Sequence, residues 1–507
     1  MVTRATQAVP ANRPWLLRRA PPTIGLITAG AVAIILVFLA ADAARRGPWL
    51  DEFWTLQLSD GHKDFRALIR DGWLRDTHPP LFNLWATFLN AIGVVSIPAA
   101  RLATNLPAVG LMILATLHFS RRMPEQAGFS AAMLLLTLSL PEAADAFGDY
   151  RSYFWQIAAL STLTLIARYV VLTNVDLDIR KDAGLAVVAV LATAGSIALH
   201  YIGGLFGGLL AGAIAVAAIA RGHWRWAALV LATAAAASLF VVAAALLQAP
   251  NWASEFDVKW ISSEGLEALA IPLVLVGVAI CHNPVPLAGI WFRRRRWTRP
   301  ESVFIAMMAG VLIGGLAVVL VVNAFMPIVV VRYVQLVTVL TSAIMASVAA
   351  KFTHDWRLFG LLALASVAAV AGPLAWNGIS PEWQDGAGKV AQIVAECPTT
   401  RVYATSGWTL GAAADSRTAL RENPVFERAH GLLADQYGYT VHFIGQHGTA
   451  QAVLGDCPVL VLYEHSPRAD EPDLPAALEA TGLRGLETAR LSAIPTVNGF
   501  ILRADRP

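Results

Sequence analysis

The sequence predicts an α-helical polytopic membrane protein of about 11 transmembrane helices with a C-terminal α/β domain. Three observations predict it. Of 507 residues, 56% are hydrophobic and only 14% charged, with a mean hydropathy of +0.57, whereas a soluble domain is about a quarter charged. Apolar runs long enough to cross a bilayer recur between residues 24 and 376. Between those runs, lysine and arginine cluster in alternate connections, as the positive-inside rule requires. The balance of 38 basic against 35 acidic residues, net +3, leaves no electrostatic footprint for nucleic acid.

The first run, about residues 24–41, follows Arg13, Arg18 and Arg19. It resembles a signal peptide but lacks a clean small-x-small cleavage site followed by a soluble chain, and further hydrophobic runs come after it. It therefore reads as a retained helix with a cytoplasmic N-terminus. Residues 42–80 then form an outer loop, unusually polar from Asp51 onward. Residues 81–95 are short and bounded by Pro79-Pro80, Gly93 and Pro98. If they crossed the membrane, Arg121-Arg122 would face outward, so they read as a juxtamembrane or re-entrant helix.

The second span, about 99–119, descends to Arg121-Arg122, and a third over about 129–144 delivers Asp145, Asp149 and Arg151 outside. The fourth descends from Tyr153 to Arg180-Lys181, the fifth rises to His200-Tyr201, and the sixth returns to Arg221–Arg225. The seventh leads to a second outer loop, 248–267, with Lys259, and the eighth descends to the four arginines 293–296. The ninth rises from about Phe304 to Asn323, the tenth descends from Arg332-Tyr333 to Lys351, and the eleventh covers about 358–376. Arg45 and Arg46 break the charge pattern, as phosphate ligands or as snorkelling interface residues.

Residues 1–376 are thus a membrane domain and 377–507 an extracytoplasmic α/β domain of ordinary size. In the latter a helix is expected over about 383–396 and strands over 401–404 and 459–463. Cys397 and Cys457 each precede one of those strands. If the strands are parallel neighbours, the two cysteines are candidates for one disulfide.

The parity of the spans places Asp51, Glu52, His78, Arg151, Tyr153, His200, Lys259 and Arg332 at one membrane face. Carboxylates act as general bases, and arginine and lysine bind phosphate. Together they describe displacement of a phosphate leaving group. Each also has a plainer reading. Asp51-Glu52 suits a helix N-terminus, His78-Pro79-Pro80 suits a helix start, Arg151 and Arg332 suit interface anchors, and His200-Tyr201 suits an aromatic belt.

The order Asp51-Glu52, His78-Pro79-Pro80-Leu81, Arg101, Arg151-x-Tyr153, His200-Tyr201 and Arg332-Tyr333 resembles the GT-C glycosyltransferases of the protein O-mannosyltransferase and aminoarabinose-transferase type. The resemblance covers about residues 26–351. It implies a polyprenyl-phosphate sugar donor and inverting transfer to a hydroxyl of a glycolipid, polysaccharide or protein at the outer face of a bacterial inner membrane. It implies Asp51 as the catalytic base, and Glu52 as its support, orienting the acceptor or helping to hold a divalent cation (Mg or Mn). Arg332 is the first candidate for the donor phosphate, with Arg151 and Lys259 next, and His78, Tyr153, His200 and Tyr333 line the cavity. Phe53-Trp54 departs from the smaller or tyrosine-containing sequence of many relatives, which leaves the sugar open. A transporter or flippase of lipid-linked sugars is the rival reading, but it predicts internal repeats and mid-membrane charge. A membrane anchor for a receptor domain would not need so many spans.

Overall fold

The computed structural model describes residues 22–59, 64–76, 78–173, 179, 181–252, 298–325, 335–351, 355–405, 424–444, 449–464, 473–486 and 489–506. The chain enters through α1 (Pro22–Arg45), a 24-residue helix long enough for a bilayer. The polar stretch after it is largely helical. It contains α2 (Leu50–Leu58), α3 (Phe65–Asp71), a 3-10 turn at Trp73–Arg75 and α4 (Leu81–Ala91). Pro79 and Pro80 fix the entry to α4, which ends four residues before the expected boundary. Its inner face buries Phe82, Ala86 and Leu89, while Leu84 and Phe88 are half exposed. That division suits a helix lying against the bundle with an apolar side turned outward.

The bundle continues through α5 (Ile97–Arg122), α6 (Ala127–Ser139), α7 (Pro141–Phe147), α8 (Tyr153–Leu172), α9 (Ala183–Ala198), α10 (Tyr201–Ala220), α11 (Trp224–Trp252), α12 (Arg299–Phe325), α13 (Val337–Ala349) and α14 (Trp356–Asn377). Among the described residues, seven helices are long and apolar enough to span, or eight if the bent pair α6–α7 is one span; α9 and α13 are shorter apolar helices. These account for every expected span except the eighth, which lies outside the described residues, as does the expected start of the tenth. The third span is corrected from a single helix to a pair bent by 69°. Pro141 opens α7, and a proline ring and missing N–H break a continuing helix while suiting a first turn. Helix α8 is the axis of the bundle: all of its residues except Trp155 and Leu172 are buried. By contrast α11 and α14 expose Leu239, Leu246, Leu361 and Leu364, as lipid-facing helices do. This is a membrane protein.

The C-terminal part opens with α15 (Trp383–Glu396), followed by β1 (Arg401–Thr405), α16 (Pro424–Tyr437), β2 (Val441–Ile444), β3 (Ala450–Gln451), β4 (Val459–Glu464), α17 (Leu474–Ala480), β5 (Leu483–Arg484), β6 (Arg490–Pro495) and β7 (Gly499–Asp505). Five strands form a sheet in the order β2-β1-β4-β7-β6, parallel from β2 to β4 and antiparallel beyond it; β3 and β5 pair separately. Cys397 and Cys457, before the adjacent parallel strands β1 and β4, form a disulfide with Cα atoms 5.6 Å apart.

Alternation along the strands divides the side chains between two cores. Tyr403, Val459, Val461 and Tyr463 face α17. Val402, Ala404, Leu460 and Leu462 face α15 and α16, and this second core continues into Leu50, Phe53 and Leu56 of α2 and Phe82 and Leu89 of α4. The two halves of the chain therefore share one hydrophobic core around α2.

His430 of α16 lies in that core, 3% exposed and 5.2 Å from the Trp383 ring. Burial lowers its pKa to about 4 from the ordinary 6.5. As pH falls below about 6.5 the unfolded chain takes up a proton that the folded chain refuses, so stability falls until about pH 4, by about 3 kcal/mol. Thermal unfolding of the purified protein followed from pH 7 to pH 4 is expected to show this decline, and His430→Leu is expected to flatten it.

Candidate functional site

Asp51 and Glu52 occupy the first turn of α2, where carboxylates complement the helix dipole. Adjacent residues on a helix point about 100° apart. One of the pair is therefore turned into the protein and the other away from its centre.

Glu52 is the one inside, with no exposed surface. Arg101 of α5 grips it in a bidentate fork, Nε donating to Oε1 at 2.6 Å and Nη2 to Oε2 at 2.5 Å. Tyr150 N donates to Oε1 at 2.8 Å and Trp49 N to Oε2 at 3.2 Å. The remaining Arg101 donors reach the carbonyls of Ala43 at 3.0 Å, Arg46 at 2.6 Å and Gly47 at 2.9 Å. Five guanidinium N–H groups and four carboxylate acceptor positions are thus all engaged. Both oxygens of Glu52, the residue expected to orient an acceptor or help hold a cation, are thus met by protein donors. Among the described residues no group of three His, Cys, Asp or Glu side chains is placed to hold a metal.

Asp51 is 30% exposed at its side chain, and its Oδ2 lies 3.3 Å from Arg151 Nη2. Arg151 reaches it because the 148–152 turn is tied down on both sides. Asn105 Nδ2 donates to the Phe147 and Asp149 carbonyls at 2.8 and 3.0 Å, and Tyr150 N to Glu52. Arg151 Nη1 also donates to Thr55 Oγ1 at 3.1 Å, one turn along α2, and Thr55 Oγ1 to the Asp51 carbonyl at 3.0 Å. Arg151 is 4% exposed, and its Nε makes no hydrogen bond among the described residues. Burial opposes its charge, but Asp51, Asp76 and Tyr153 more than offset this and hold its pKa above the ordinary arginine value.

Next to Arg151 stands a polar cluster that the sequence only half discloses. His78 Nδ1 lies 3.3 Å from Asp76 Oδ1, Asn83 Nδ2 donates to Asp76 Oδ2 at 2.9 Å, and Tyr153 OH is 3.4 Å from His78 Nε2. The rings of His78 and His200 are 5.0 Å apart, and those of Tyr153 and His200 5.4 Å. Burial raises the Asp76 pKa, yet His78, Arg151 and Asn83 together bring it down to about 2. Burial, then His78 and Arg151, push His200 well below the ordinary histidine range. Its Nδ1 accepts from Gly203 N at 3.2 Å and caps α10. Gln248 at the end of α11 fixes the backbone here, Nε2 donating to the Trp73 and His78 carbonyls at 2.8 and 2.9 Å while Tyr201 OH donates to its Oε1 at 2.5 Å.

The structure thus gathers Asp51, Arg151, His78, Tyr153 and His200 beside one another and seals Glu52 beneath them. Lys259, Arg332 and Tyr333 lie outside the described residues. Asp76, Asn83, Thr55 and Gln248 belong to the cluster and were missed. Asp76 stands two residues before His78 in the stretch that drew attention, so its position was a usable signal. Nothing near Gln248 marks it in the sequence. Arg46 is engaged by Asp42 at 2.7 Å, Asp145 at 3.3 Å and Asp149 at 3.8 Å, so acidic side chains, rather than interfacial snorkelling, account for its place.

The bent third span, the helical first loop, the sealed Glu-Arg pair and the C-terminal α/β domain together define a polytopic membrane protein whose soluble domain packs on the first loop. A solved structure it is similar to in fold is ArnT from Cupriavidus metallidurans in the apo state, at a TM-score of 0.51 and 14% identity over 94% of this chain and 97% of that one. ArnT from the same organism bound to undecaprenyl phosphate matches over the same shares at a TM-score of 0.41 and 14% identity. No family model and no curated protein matches the sequence. The likeness is one of fold.

The geometry separates the two carboxylates by stability. Glu52→Gln leaves the Arg101 guanidinium buried without its counter-charge and is expected to destabilise the protein by about 3–5 kcal/mol. Asp51→Asn, at a partly exposed position and with Asp76 still beside Arg151, is expected to cost less than Glu52→Gln. Thermal melting in detergent measures both.

Proposed function

We propose that this protein is an integral membrane glycosyltransferase that moves a sugar from a polyprenyl-phosphate donor to a hydroxyl acceptor at the outer face of the inner membrane. The observation that carries the reading is the Asp51–Arg151 pair, a partly exposed carboxylate 3.3 Å from a buried guanidinium, on the helix whose other carboxylate is fully sealed. The likeness of fold to apo ArnT and the GT-C-like motif order in the sequence support it.

In this reading Asp51 is the catalytic base. Its carboxylate accepts the acceptor's hydroxyl proton as the acceptor oxygen forms a bond to the anomeric carbon. The bond from that carbon to the phosphate oxygen breaks on the opposite face, its electron pair leaves with the lipid phosphate, and the configuration inverts. Arg151 meets the phosphate charge, and its unpaired Nε is a donor suited to that task. Arg332 and Lys259 are further candidates for the same phosphate, and Tyr333 for the cavity wall. His78, Tyr153 and His200 line the sugar side, with His200 neutral and oriented by Gly203. Glu52 is a positioning residue, acting through α2 by holding Asp51 in place. The acceptor is a glycolipid, polysaccharide or protein of the cell envelope, and the Cys397–Cys457 disulfide suits a C-terminal domain on the oxidising side of the membrane.

The test is transfer from radiolabelled polyprenyl-phosphate sugars in membranes with matched expression. Asp51→Asn is expected to lower turnover by about 10²–10⁴ with donor binding retained. Unchanged transfer in that variant would remove the base from the mechanism and favour a carrier of lipid-linked sugars.

A further inference from the structure

Helix α2 is gripped from two sides. Glu52 and Arg101 hold it on the membrane side. On the other side its apolar residues Phe53 and Leu56 enter the core of the C-terminal domain. The Phe53 ring lies 5.6 Å from Trp383, which is itself 1% exposed and has the tilted rings of Phe426 at 5.9 Å and His430 at 5.2 Å as neighbours. One residue before the end of α2, Gln57 Oε1 accepts from Arg428 Nη1 of α16 at 3.1 Å. The contact therefore runs along the whole helix, from its first turn to its last.

The covalent approach is fixed as well. Gly47 N donates to the Ser380 carbonyl at 3.0 Å and Trp383 N to the Pro48 carbonyl at 3.3 Å. These bonds stitch the segment before α2 to the segment before α15. A Cβ at position 47 would sit 1.8 Å from the Pro381 carbonyl oxygen, so only glycine allows this approach. Glu382 adopts φ +42°, a left-handed conformation costly for a side-chain-bearing residue. Its carboxylate accepts from Ser380 Oγ at 2.8 Å and from Asn498 Nδ2 at 3.1 Å. Strain of this kind persists where the surroundings over-determine the backbone. Here it sets the angle at which Trp383 enters the core under α2.

We infer that the C-terminal domain positions the catalytic helix, with Trp383 as the positioning residue that fixes Phe53, and through it Asp51, relative to Arg151. The inference rests on the reading of Asp51 as the base. It assigns the domain a task inside the reaction centre, different from acceptor selection. A displacement of about 1 Å in a reacting group lowers rate by up to about 10²-fold, so a shift of α2 reads out in turnover before it reads out in binding.

The experiment compares wild type, Trp383→Ala and Trp383→Phe as full-length proteins, with two readouts. The first is steady-state transfer from a polyprenyl-phosphate sugar. Trp383→Ala is expected to lower kcat by about 10-fold or more, towards the 10²-fold limit, with the donor KM within about twofold, and Trp383→Phe to restore most of it. The second is hydrogen–deuterium exchange of peptides covering 50–58, expected to quicken in Trp383→Ala while peptides of α10 are unchanged. A rise in KM with kcat intact would overturn the inference in favour of substrate selection. Unchanged exchange over 50–58 in a folded Trp383→Ala protein would overturn it outright. If wild type transfers no sugar while the exchange of 50–58 still responds to Trp383, the transferase reading fails and the mechanical link to α2 stands.

Discussion

The fold around the site depends on one buried ion pair, Glu52 with Arg101. Removing two charges from water is expensive, and the attraction between them offsets the loss only when the geometry is good and the other donors and acceptors are also satisfied. Here they are, with the carbonyls of Ala43, Arg46 and Gly47 on one side and the amides of Trp49 and Tyr150 on the other. The pair thereby joins the end of α1, the start of α2, the start of α5 and the turn before α8. Four separate stretches of chain have their relative positions set by seven hydrogen bonds.

That junction explains how neighbouring carboxylates come to have different duties. Both belong to the first turn of α2, but the helical angle between them sends Glu52 into the junction and Asp51 towards Arg151. Arg151 in turn is aimed by Asn105 and by the Tyr150 amide bonded to Glu52. The chemistry proposed for Asp51 would be built on the structure at Glu52, and the C-terminal domain closes the same helix from its apolar side. A site at the meeting of three layers is held more rigidly than one carried on a free loop.

The polar cluster beyond Arg151 follows a related logic. Asp76, His78, Tyr153 and His200 are close enough to bias one another, so the carboxylate stays ionised to about pH 2 and His200 stays neutral. Gln248, with no charge of its own, holds the His78 backbone of this cluster from a position 170 residues further along the sequence. Such a residue is invisible to any reading of local motifs, because its importance lies wholly in what it reaches.

The sequence by itself determined the membrane class, most of the spans, the C-terminal helix and its two central strands, and the stretch in which the site lies. These follow from local physics: runs of apolar residues of bilayer length, alternation along strands, and charge confined to connections. It also marked Asp51, His78, Arg151, Tyr153 and His200, since ionisable groups at one end of a bundle of apolar helices stand out from their surroundings. Only the tertiary structure decided which carboxylate is sealed and which is open, because the rotation of α2 is set by Arg101, 49 residues further on. The bend at Pro141 and the pairing of Arg46 with three aspartates were equally hidden, since each depends on packing partners rather than on composition. The joining of Phe53 to Trp383 was the least legible of all: two aromatic residues 330 positions apart meet only when both halves of the chain have folded around the same helix.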